Sequence, residues 1–230
     1  MALTPVFPVS PPPLVPITGQ PGQGFAVHRI FCVGRNYAAH AAEMGNEVDR
    51  EAPFYFTKSA HALCLDDSIR YPLGTTDCHY EMEFVVALGA GAHNVPEAAA
   101  MDMVFGYACG IDLTRRDLQA AAKDKRRPWD LGKDFENSAL IAPLTRAADF
   151  GQIGPQSITL EHDGDVAQSA LLSDMVWSVP EIISHLSRYY HLRAGDLIYT
   201  GTPAGVGPVQ SGSHLCGQID GLSPIRVGIT

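Results

Sequence analysis

Two glutamates separated by one residue lead directly into an apolar run, and this arrangement limits how the chain can fold. Glu81 and Glu83 precede Val85-Val86-Ala87-Leu88, a run typical of a strand that enters a core. Side chains at i and i+2 of a strand leave the same face, so the two carboxylates are about 7 Å apart at their roots. At a burial boundary they repel each other and lose hydration, so either a cation lies between them or one stays protonated. A metal ion is the simplest such cation.

A third carboxylate, Asp112, ends the apolar run 104–111. Asp112 could instead cap the helix predicted to follow, but Thr114 and Asp117 have the spacing of a capping box at that helix start. Asp112 is therefore a candidate third ligand beside Glu81 and Glu83. Three carboxylates favour Mg²⁺ or Mn²⁺ over Zn²⁺, with Ca²⁺ as a further candidate.

Two further sites in the sequence carry groups suited to catalysis. His40 and Glu43 are three residues apart in a predicted helix, which places them side by side. Such a pair can act as a general base, because the carboxylate orients the imidazole and stabilises its protonated form. Lys133 lies in a stretch without helical or strand periodicity; a surface lysine is the common interpretation, but near a metal it could bind a carboxylate or stabilise an enolate.

Composition excludes several classes of partner. The 230 residues include 25 Asp and Glu against 16 Lys and Arg, a net charge of −9 that disfavours nucleic acid and anionic membranes. No apolar run approaches the roughly 20 residues of a membrane span, and no secretory signal is visible. Five cysteines without a CxxC pair indicate reduced thiols and a cytoplasmic protein.

Predicted strands outnumber predicted helices and do not alternate regularly with them, which favours an α+β, β-rich architecture over a doubly wound fold. A proline-rich arm is predicted for residues 1–24, followed by a single catalytic domain over 25–230. Strands are predicted at 26–33, 54–58, 69–71, 80–88, 104–113, 139–142, 157–161, 166–169 and 196–200. A hairpin turn is predicted at 162–165, and helices at 36–44, 115–125, 181–190 and just after Pro96. The glycine-rich loop 201–207 lacks a phosphate-loop pattern, so its backbone N–H groups are predicted to bind a small anion.

Five motifs in this order resemble the fumarylacetoacetate hydrolase family, with its short bacterial acylpyruvate hydrolases as the nearest likeness. They are Gly34-Arg35-Asn36-Tyr37-Ala38-Ala39-His40, Glu81-x-Glu83, Gly110-Ile111-Asp112-Leu113-Thr114, Lys133 and Gly201-Thr202-Pro203-Ala204-Gly205-Val206-Gly207. The resemblance covers the chain from about residue 27 to the C-terminus.

This resemblance implies a mixed β-sandwich roll that forms homodimers, with Mg²⁺ or Mn²⁺ held by Glu81, Glu83 and Asp112. It makes His40 and Glu43 the pair that activates water, and Lys133 the cation that stabilises an enolate. The positions expected to approach the substrate are Arg35, Asn36, Arg116, Gln119 and Thr202.

The implied reaction is hydrolysis of the C3–C4 bond of a 2,4-dioxo acid in aromatic catabolism, for which fumarylpyruvate of the gentisate pathway is the first candidate. The same metal and lysine would also serve an oxaloacetate decarboxylase, a hydratase or an isomerase, because all pass through a similar enolate. A non-catalytic protein that binds dicarboxylates or metal is an alternative from another class. The His40 and Glu43 pair favours hydrolysis, since a decarboxylase needs no activated water.

Overall fold

The computed structural model describes residues 3–45 and 50–230, and β-strands make up most of its regular structure. The strands are β1 (Leu14–Pro16), β2 (Gly24–Ala26), β3 (Arg29–Gly34), β4 (Phe54–Lys58), β5 (Leu63–Cys64), β6 (Ser68–Ile69), β7 (Cys78–Tyr80), β8 (Met82–Leu88), β9 (Val104–Asp112), β10 (Thr114–Arg115), β11 (Ala139–Ile141), β12 (Thr145–Arg146), β13 (Ser157–His162), β14 (Asp165–Leu171), β15 (Asp196–Tyr199), β16 (Gly207–Val209), β17 (His214–Ile219) and β18 (Ile225–Ile229). The helices are α1 (Ala38–Glu43), α2 (Glu97–Ala100), α3 (Arg116–Asp124), α4 (Asp130–Lys133), α5 (Ala147–Phe150) and α6 (Val179–Leu186), with 3₁₀ turns at Ala60–Ala62, Met101–Met103 and Leu172–Asp174. The predicted α+β, β-rich class is confirmed.

The largest sheet is mixed, with strand order β4-β3-β15-β8-β9-β11-β5 and β12 paired to β9. Its central strand β8 is buried along its whole length. Phe84, Val86 and Leu88 face the larger hydrophobic core, whereas Val85 and Ala87 face a smaller one on the opposite side. Successive side chains of a strand point to opposite faces, so a strand buried on both faces must be continuously apolar.

A second sheet, of order β14-β13-β17-β18-β6, forms the other layer of the sandwich. Side chains of β13, β17 and β18 pack with those of β8 and of α6 in the larger core. The hairpin of β13 and β14 turns at Asp163 and Gly164, whose φ angles of 54° and 93° fit the turn type that Asp-Gly favours. The hairpin predicted at 162–165 and the mixed β-sandwich are confirmed.

The N-terminal hairpin of β1 and β2 attaches to the main body. Val15 and Val27 are fully buried in the smaller core, and the backbone at Pro16 accepts a 2.9 Å hydrogen bond from the N–H of Leu144. Residues 14–24 thus belong to the packed body, although the sequence analysis placed them in a proline-rich arm before the catalytic domain. Residues 3–12 are exposed and form no helix or strand.

The single strand predicted for 80–88 is wrong at Glu81. There the chain leaves β7, which belongs to a three-stranded sheet of order β10-β7-β16, and enters β8 of the largest sheet. The N–H of Asp112 donates a 2.8 Å hydrogen bond to the carbonyl oxygen of Glu81. Glu81 therefore lies at a junction between two sheets, which turns its side chain toward the ends of β8 and β9.

Other boundaries differ by a few residues. The strand predicted at 26–33 is interrupted between β2 and β3, and the helix predicted at 181–190 is α6, which begins and ends earlier. Ser178 and Glu181 form a capping box at the start of α6, with a 2.8 Å hydrogen bond from the Ser178 N–H to Glu181 Oε2.

None of the helices within residues 3–45 and 50–230 has the length and apolarity to cross a membrane.

Candidate active site

Three buried carboxylates lie close together where β8 begins and β9 ends. Glu83 on β8 pairs with Gly110 on β9, and Asp112 is the last residue of β9. A Cβ atom at Gly110 would lie 2.5 Å from Val85 Cγ2, so glycine permits this close strand packing. Oxygen atoms of Glu81, Glu83 and Asp112 lie within 4.8 Å of one another. The structure therefore brings together the three predicted metal ligands.

Glu83 carries the electrostatic strain of this cluster. Burial, followed by the negative charges of Asp112 and Glu81, raises the pKa of Glu83 well above its usual range. Its Oε2 accepts a 2.7 Å hydrogen bond from the N–H of Gly201. Within the described part of the chain, no lysine or arginine forms an ion pair with Glu83. Among the three carboxylates, Glu83 is therefore the one without a cationic partner in the described part of the chain.

Glu81 and Asp112, in contrast, share a buried lysine. Lys133 Nζ lies 2.7 Å from Glu81 Oε2, 2.7 Å from Asp112 Oδ2 and 2.6 Å from Thr114 Oγ1. Burial disfavours the charged form of Lys133, but the two carboxylates outweigh it and raise its pKa. Lys133 ends the short helix α4 and is 2% exposed, so the common interpretation as a surface lysine is wrong.

Lys58 is a second buried cation at the triad, and the sequence analysis did not identify it. Its Nζ lies 2.8 Å from Asp112 Oδ1, yet its protons are directed at the carbonyl oxygens of Leu113 and Lys133 and at the hydroxyl of Ser138. Asp112 Oδ1 accepts no hydrogen bond from the described residues. The sequence feature that could have indicated Lys58 is its position as the last residue of the aromatic strand Phe54–Lys58.

These contacts fit a divalent metal. Asp112 Oδ1 has a free acceptor position, and Glu83 lacks a counterion, so both have oxygen atoms available for coordination. The donors are hard carboxylate oxygens, which suit Mg²⁺ or Mn²⁺ better than softer metals. A bound dication would also relieve the repulsion that raises the pKa of Glu83. The triad of Glu81, Glu83 and Asp112 could therefore hold the predicted ion.

His40 and Glu43 form a hydrogen-bonded pair on α1. His40 Nδ1 lies 3.1 Å from Glu43 Oε2, and the imidazole is buried, whereas the Glu43 side chain is about one third exposed (35%). With the proton on Nδ1, the Nε2 atom is an acceptor. His40 lines the same cleft as Glu81, Glu83, Lys133, Arg116 and Thr202. We call the cavity that these residues line the cleft.

The glycine-rich loop binds the protein's own carboxylates instead of the small anion predicted for it. The Gly201 N–H donates to Glu83, and the Gly205 N–H donates to both oxygens of Glu43 at 3.1 and 3.2 Å. Both glycines have positive φ, 98° and 95°. A Cβ atom at Gly205 would lie 2.0 Å from the carbonyl oxygen of Ala167. The loop therefore holds one carboxylate of the triad and one of the dyad.

Arg116 and Gln119 project from α3 into the cleft, as predicted for residues that approach a substrate. Arg116 Nη2 donates to Glu81 Oε1 at 2.5 Å, and Nη1 donates to Gln119 Oε1 at 2.8 Å. Burial disfavours ionisation of Glu81, but Lys133 and Arg116 outweigh it and lower the pKa of Glu81. Arg116 is therefore already paired with a carboxylate of the protein.

The predicted capping box of Thr114 and Asp117 is wrong. The N-cap of α3 is Arg115, and no side chain caps it. The Asp117 carboxylate instead accepts hydrogen bonds from the Thr75 hydroxyl at 2.6 Å and the Thr76 N–H at 3.2 Å. The Thr114 hydroxyl accepts from Lys133. Both residues are used in tertiary contacts that sequence spacing does not reveal.

Arg35 and Thr202 line the cleft, but Asn36 does not. The Asn36 side chain is fully buried; its amide nitrogen donates to the carbonyl oxygens of Trp177 and Thr200, and its oxygen accepts from the Trp177 N–H at 2.7 Å. These bonds occupy its amide group in joining three segments of backbone. Asn36 is therefore a structural residue, and its prediction as a substrate contact is corrected.

The cleft also has a wall that the sequence analysis missed. Phe56, Trp129 and Lys123 line it together with Met44. Lys123 Nζ lies 5.0 Å from the centre of the Trp129 ring, and Lys133 Nζ lies 4.8 Å from that of Phe56. Lys123 is seven residues after Arg116 on α3, which places both residues on the same helical face.

Comparison with known proteins gives consistent relatives. A family model described as "Fumarylacetoacetate (FAA) hydrolase C-terminal" matches residues 29–230. The chain is 44% identical over 190 residues to a fumarylpyruvate hydrolase from Ralstonia sp, covering 81% of this chain and 98% of that protein. It is 38% identical over 201 residues to a mitochondrial oxaloacetate tautomerase from Arabidopsis thaliana, covering 87% of this chain and 90% of that protein.

Solved structures show the same likeness. The crystal structure of fumarylpyruvate hydrolase from Pseudomonas aeruginosa in complex with Mn²⁺ and pyruvate superposes with a TM-score of 0.94 at 43% identity, covering 99% of each chain. A structure described as a putative fumarylpyruvate hydrolase from Burkholderia cenocepacia superposes with a TM-score of 0.91 at 42% identity, covering 99% of this chain and 98% of that one. These matches agree with the carboxylate triad and with the order of the five sequence motifs. The chain belongs to the fumarylacetoacetate hydrolase family.

Proposed function

We propose that this protein is a metal-dependent hydrolase that cleaves the C3–C4 bond of a 2,4-dioxo acid, with fumarylpyruvate as its first candidate substrate. The observation that supports it best is that His40 lines the same cleft as Glu81 and Glu83, while its partner Glu43 is held by the Gly205 N–H. This arrangement supplies a base for water beside a site suited to a chelating 2-oxo acid. The fumarylpyruvate hydrolases among the relatives support the choice of substrate.

Mg²⁺ or Mn²⁺, bound by Glu81, Glu83 and Asp112, would supply Lewis-acid polarisation of the carboxylate and C2 carbonyl of the substrate. His40 Nε2 takes a proton from water, and Glu43 stabilises the imidazolium that forms. The hydroxide adds to the C4 carbonyl carbon, and the C3–C4 bond then breaks with its electron pair remaining on C3. The products are a carboxylic acid and the enolate of pyruvate.

Lys133 serves the second half of this reaction. It is buried and protonated, and it lies between Glu81 and Asp112, where charge develops on the pyruvate half. A fixed ammonium in a water-poor site stabilises an enolate oxygen without reorganisation. The proton taken by His40 then returns to C3, which completes pyruvate and restores the neutral imidazole. Water is consumed, and the atoms of both products are accounted for.

Hydrolysis is tested with purified protein, Mn²⁺ or Mg²⁺ and fumarylpyruvate. We expect loss of fumarylpyruvate with equal formation of fumarate and pyruvate, and we expect His40→Ala to slow this reaction about 10²- to 10⁴-fold. Turnover by His40→Ala at the parental rate would refute the assigned base. Binding of 2,4-dioxo acids without turnover would favour the non-catalytic alternative.

A second candidate is chemistry on oxaloacetate, by tautomerisation or decarboxylation. The oxaloacetate tautomerases among the relatives favour it, at 38% identity over most of the chain. It needs an enolate-stabilising cation such as Lys133 but no attacking water. Parallel assays of fumarylpyruvate hydrolysis, oxaloacetate tautomerisation and oxaloacetate decarboxylation separate these possibilities; faster turnover of oxaloacetate would reverse our order of preference.

The proposal extends to the setting of the enzyme. We expect a cytoplasmic homodimer with one catalytic domain per chain, acting in the breakdown of aromatic compounds such as gentisate. All five cysteines are free thiols and four are buried, which suits a reducing compartment. Light scattering of the purified protein tests the dimer, and growth of a deletion strain on gentisate tests the pathway.

A further inference from the structure

The end of the cleft away from the triad carries two cations that no carboxylate neutralises. Lys123 and Arg35 both line the cleft, and neither forms an ion pair within residues 3–45 and 50–230. Their recorded partners are aromatic rings: Trp129 at 5.0 Å for Lys123 and Phe54 at 5.9 Å for Arg35. Arg116, at the other end, is paired with Glu81. Of the lysines and arginines that line the cleft, Arg116 and Lys133 are paired with carboxylates, whereas Lys123 and Arg35 are not paired within the described residues. We call the side of the cleft that carries Lys123 and Arg35 its distal end.

Helix α3 sets the distance between the two ends. Arg116, Gln119 and Lys123 lie on one face of this helix and all line the cleft. Seven residues of helix span about 10 Å, which is the separation of the Arg116 and Lys123 backbone positions along α3. The terminal carboxylate carbons of extended fumarylpyruvate are about 7–8 Å apart, from C–C bonds of about 1.5 Å. A substrate chelated at the triad can thus place a second carboxylate near Lys123.

The wall between these ends suits an unsaturated chain. Phe56 and Trp129 have ring centres 6.1 Å apart, with Lys133 against the first ring and Lys123 against the second. Flat aromatic surfaces favour a planar conjugated chain and exclude water from the cations at its ends. Burial, followed by the charges of Arg116 and Arg35, lowers the pKa of Lys123, so a bound anion would relieve this strain.

We infer that Lys123, assisted by Arg35, binds the distal carboxylate of a dicarboxylic substrate and selects it over substrates with a neutral acyl group. The inference rests on the proposed function for the identity of the reacting half, and it names the residues that set the acyl specificity. It also separates the two arginines: Arg35 serves the distal carboxylate, whereas Arg116 serves Glu81 and the metal end.

Binding tests the inference without requiring hydrolysis. The probes are 2-oxoheptanedioate, which has the length of fumarylpyruvate, and 2-oxoheptanoate, which differs only in lacking the distal carboxylate. Calorimetry with Mn²⁺-loaded wild-type protein should show about ten- to fiftyfold tighter binding of the diacid, the value of a charged hydrogen bond. Lys123→Met should remove most of this preference. The matched control is Lys125→Met, because Lys125 is exposed near the end of the same helix.

The kinetic test uses the ratio of kcat/KM for fumarylpyruvate to that for acetylpyruvate. Lys123→Met should lower this ratio about ten- to fiftyfold, mainly through KM for fumarylpyruvate, and Lys123→Arg should restore part of it. An unchanged ratio and an unchanged diacid preference would overturn the inference. The two proposals can also fail separately. If the wild-type protein hydrolyses neither substrate, the proposed function fails. If it still prefers the diacid and Lys123→Met loses that preference, the binding role of Lys123 stands.

Discussion

The two ends of the cleft differ in the sign of the charge that has no ionic partner among the described residues: it is negative at the inner end and positive at the outer end. At the inner end, Glu81 and Asp112 share Lys133, whereas the Glu83 carboxylate accepts a hydrogen bond from the Gly201 N–H and forms no ion pair with a lysine or arginine of the described residues. At the outer end, Lys123 faces an aromatic ring and no carboxylate among the described residues. Burial makes unpaired charges costly, so a group from outside the chain would stabilise each end. A dication at the inner end and a carboxylate at the outer end would do so.

Removal of the metal is expected to have the largest effect on turnover of all the changes considered. Chelation should abolish turnover, and Mn²⁺ or Mg²⁺ should restore it. Glu83→Gln should weaken Mn²⁺ binding about a hundredfold or more in calorimetry, because an amide cannot replace the uncompensated carboxylate. Glu161→Gln, on the exposed side of β13, is the control. If Glu83→Gln binds Mn²⁺ with the wild-type affinity, Glu83 is not a metal ligand.

His40→Ala is expected to lower kcat about 10²- to 10⁴-fold, the range for loss of a general base. Mn²⁺ affinity should remain close to the wild-type value, because His40 contacts Glu43 and not the triad ligands. Steady-state kinetics and calorimetry on the same sample measure both quantities. His214→Ala, at a side chain 80% exposed, is the control. A parallel loss of metal affinity would move His40 into the metal site.

Lys133→Met should destabilise the fold by about 3–5 kcal/mol, because it leaves buried carboxylates without their shared cation. Urea unfolding of the metal-free protein measures this free energy. Lys125→Met should change it by less than about 0.5 kcal/mol, as expected for an exposed position. Equal stability of the two variants would mean that Glu81 and Asp112 are not both ionised in the metal-free protein.

Gly205→Ala tests the support of the dyad. It should lower kcat about tenfold and destabilise the fold by about 1–3 kcal/mol, since a Cβ atom would meet Ala167 and disturb the N–H bond to Glu43. Gly212→Ala is a close control, because Gly212 has φ of 96° and nothing within 4 Å of its Cβ position. Equal kcat values for both variants would remove Gly205 from the catalytic arrangement.

The smallest effect is expected at Arg35, on the outer end. Arg35→Met should weaken binding of 2-oxoheptanedioate about two- to fivefold, because an exposed guanidinium contributes little more than a screened attraction. Binding of 2-oxoheptanoate in the same calorimeter is the internal reference. A larger loss than in Lys123→Met would reverse the roles of the two cations.

Much of the inner end could be predicted from sequence. Glu81 and Glu83 precede a run that must be buried, Asp112 ends another such run, and His40 and Glu43 have helical spacing. Each signal depends on neighbours within a few residues, where strand and helix periodicities apply. Spacing could not show that Glu81 lies between two sheets, that Asp117 contacts Thr75, or that Asn36 joins backbone segments. These outcomes depend on contacts between distant segments.

The sequence by itself determined a strand-rich fold and a set of carboxylates for which a cation is the simplest compensation, because local periodicity and the cost of burying charge act on neighbouring residues. Only the tertiary structure decided which charges are paired. Lys58, Lys133 and Arg116 reach the inner triad through chain segments 21 to 54 residues from their partners, whereas Lys123 is left without a carboxylate partner among the described residues. Side-chain pairing across such separations is set by how the sheets pack. Among the described residues, that packing gives Glu83 no cationic partner and Lys123 no anionic one.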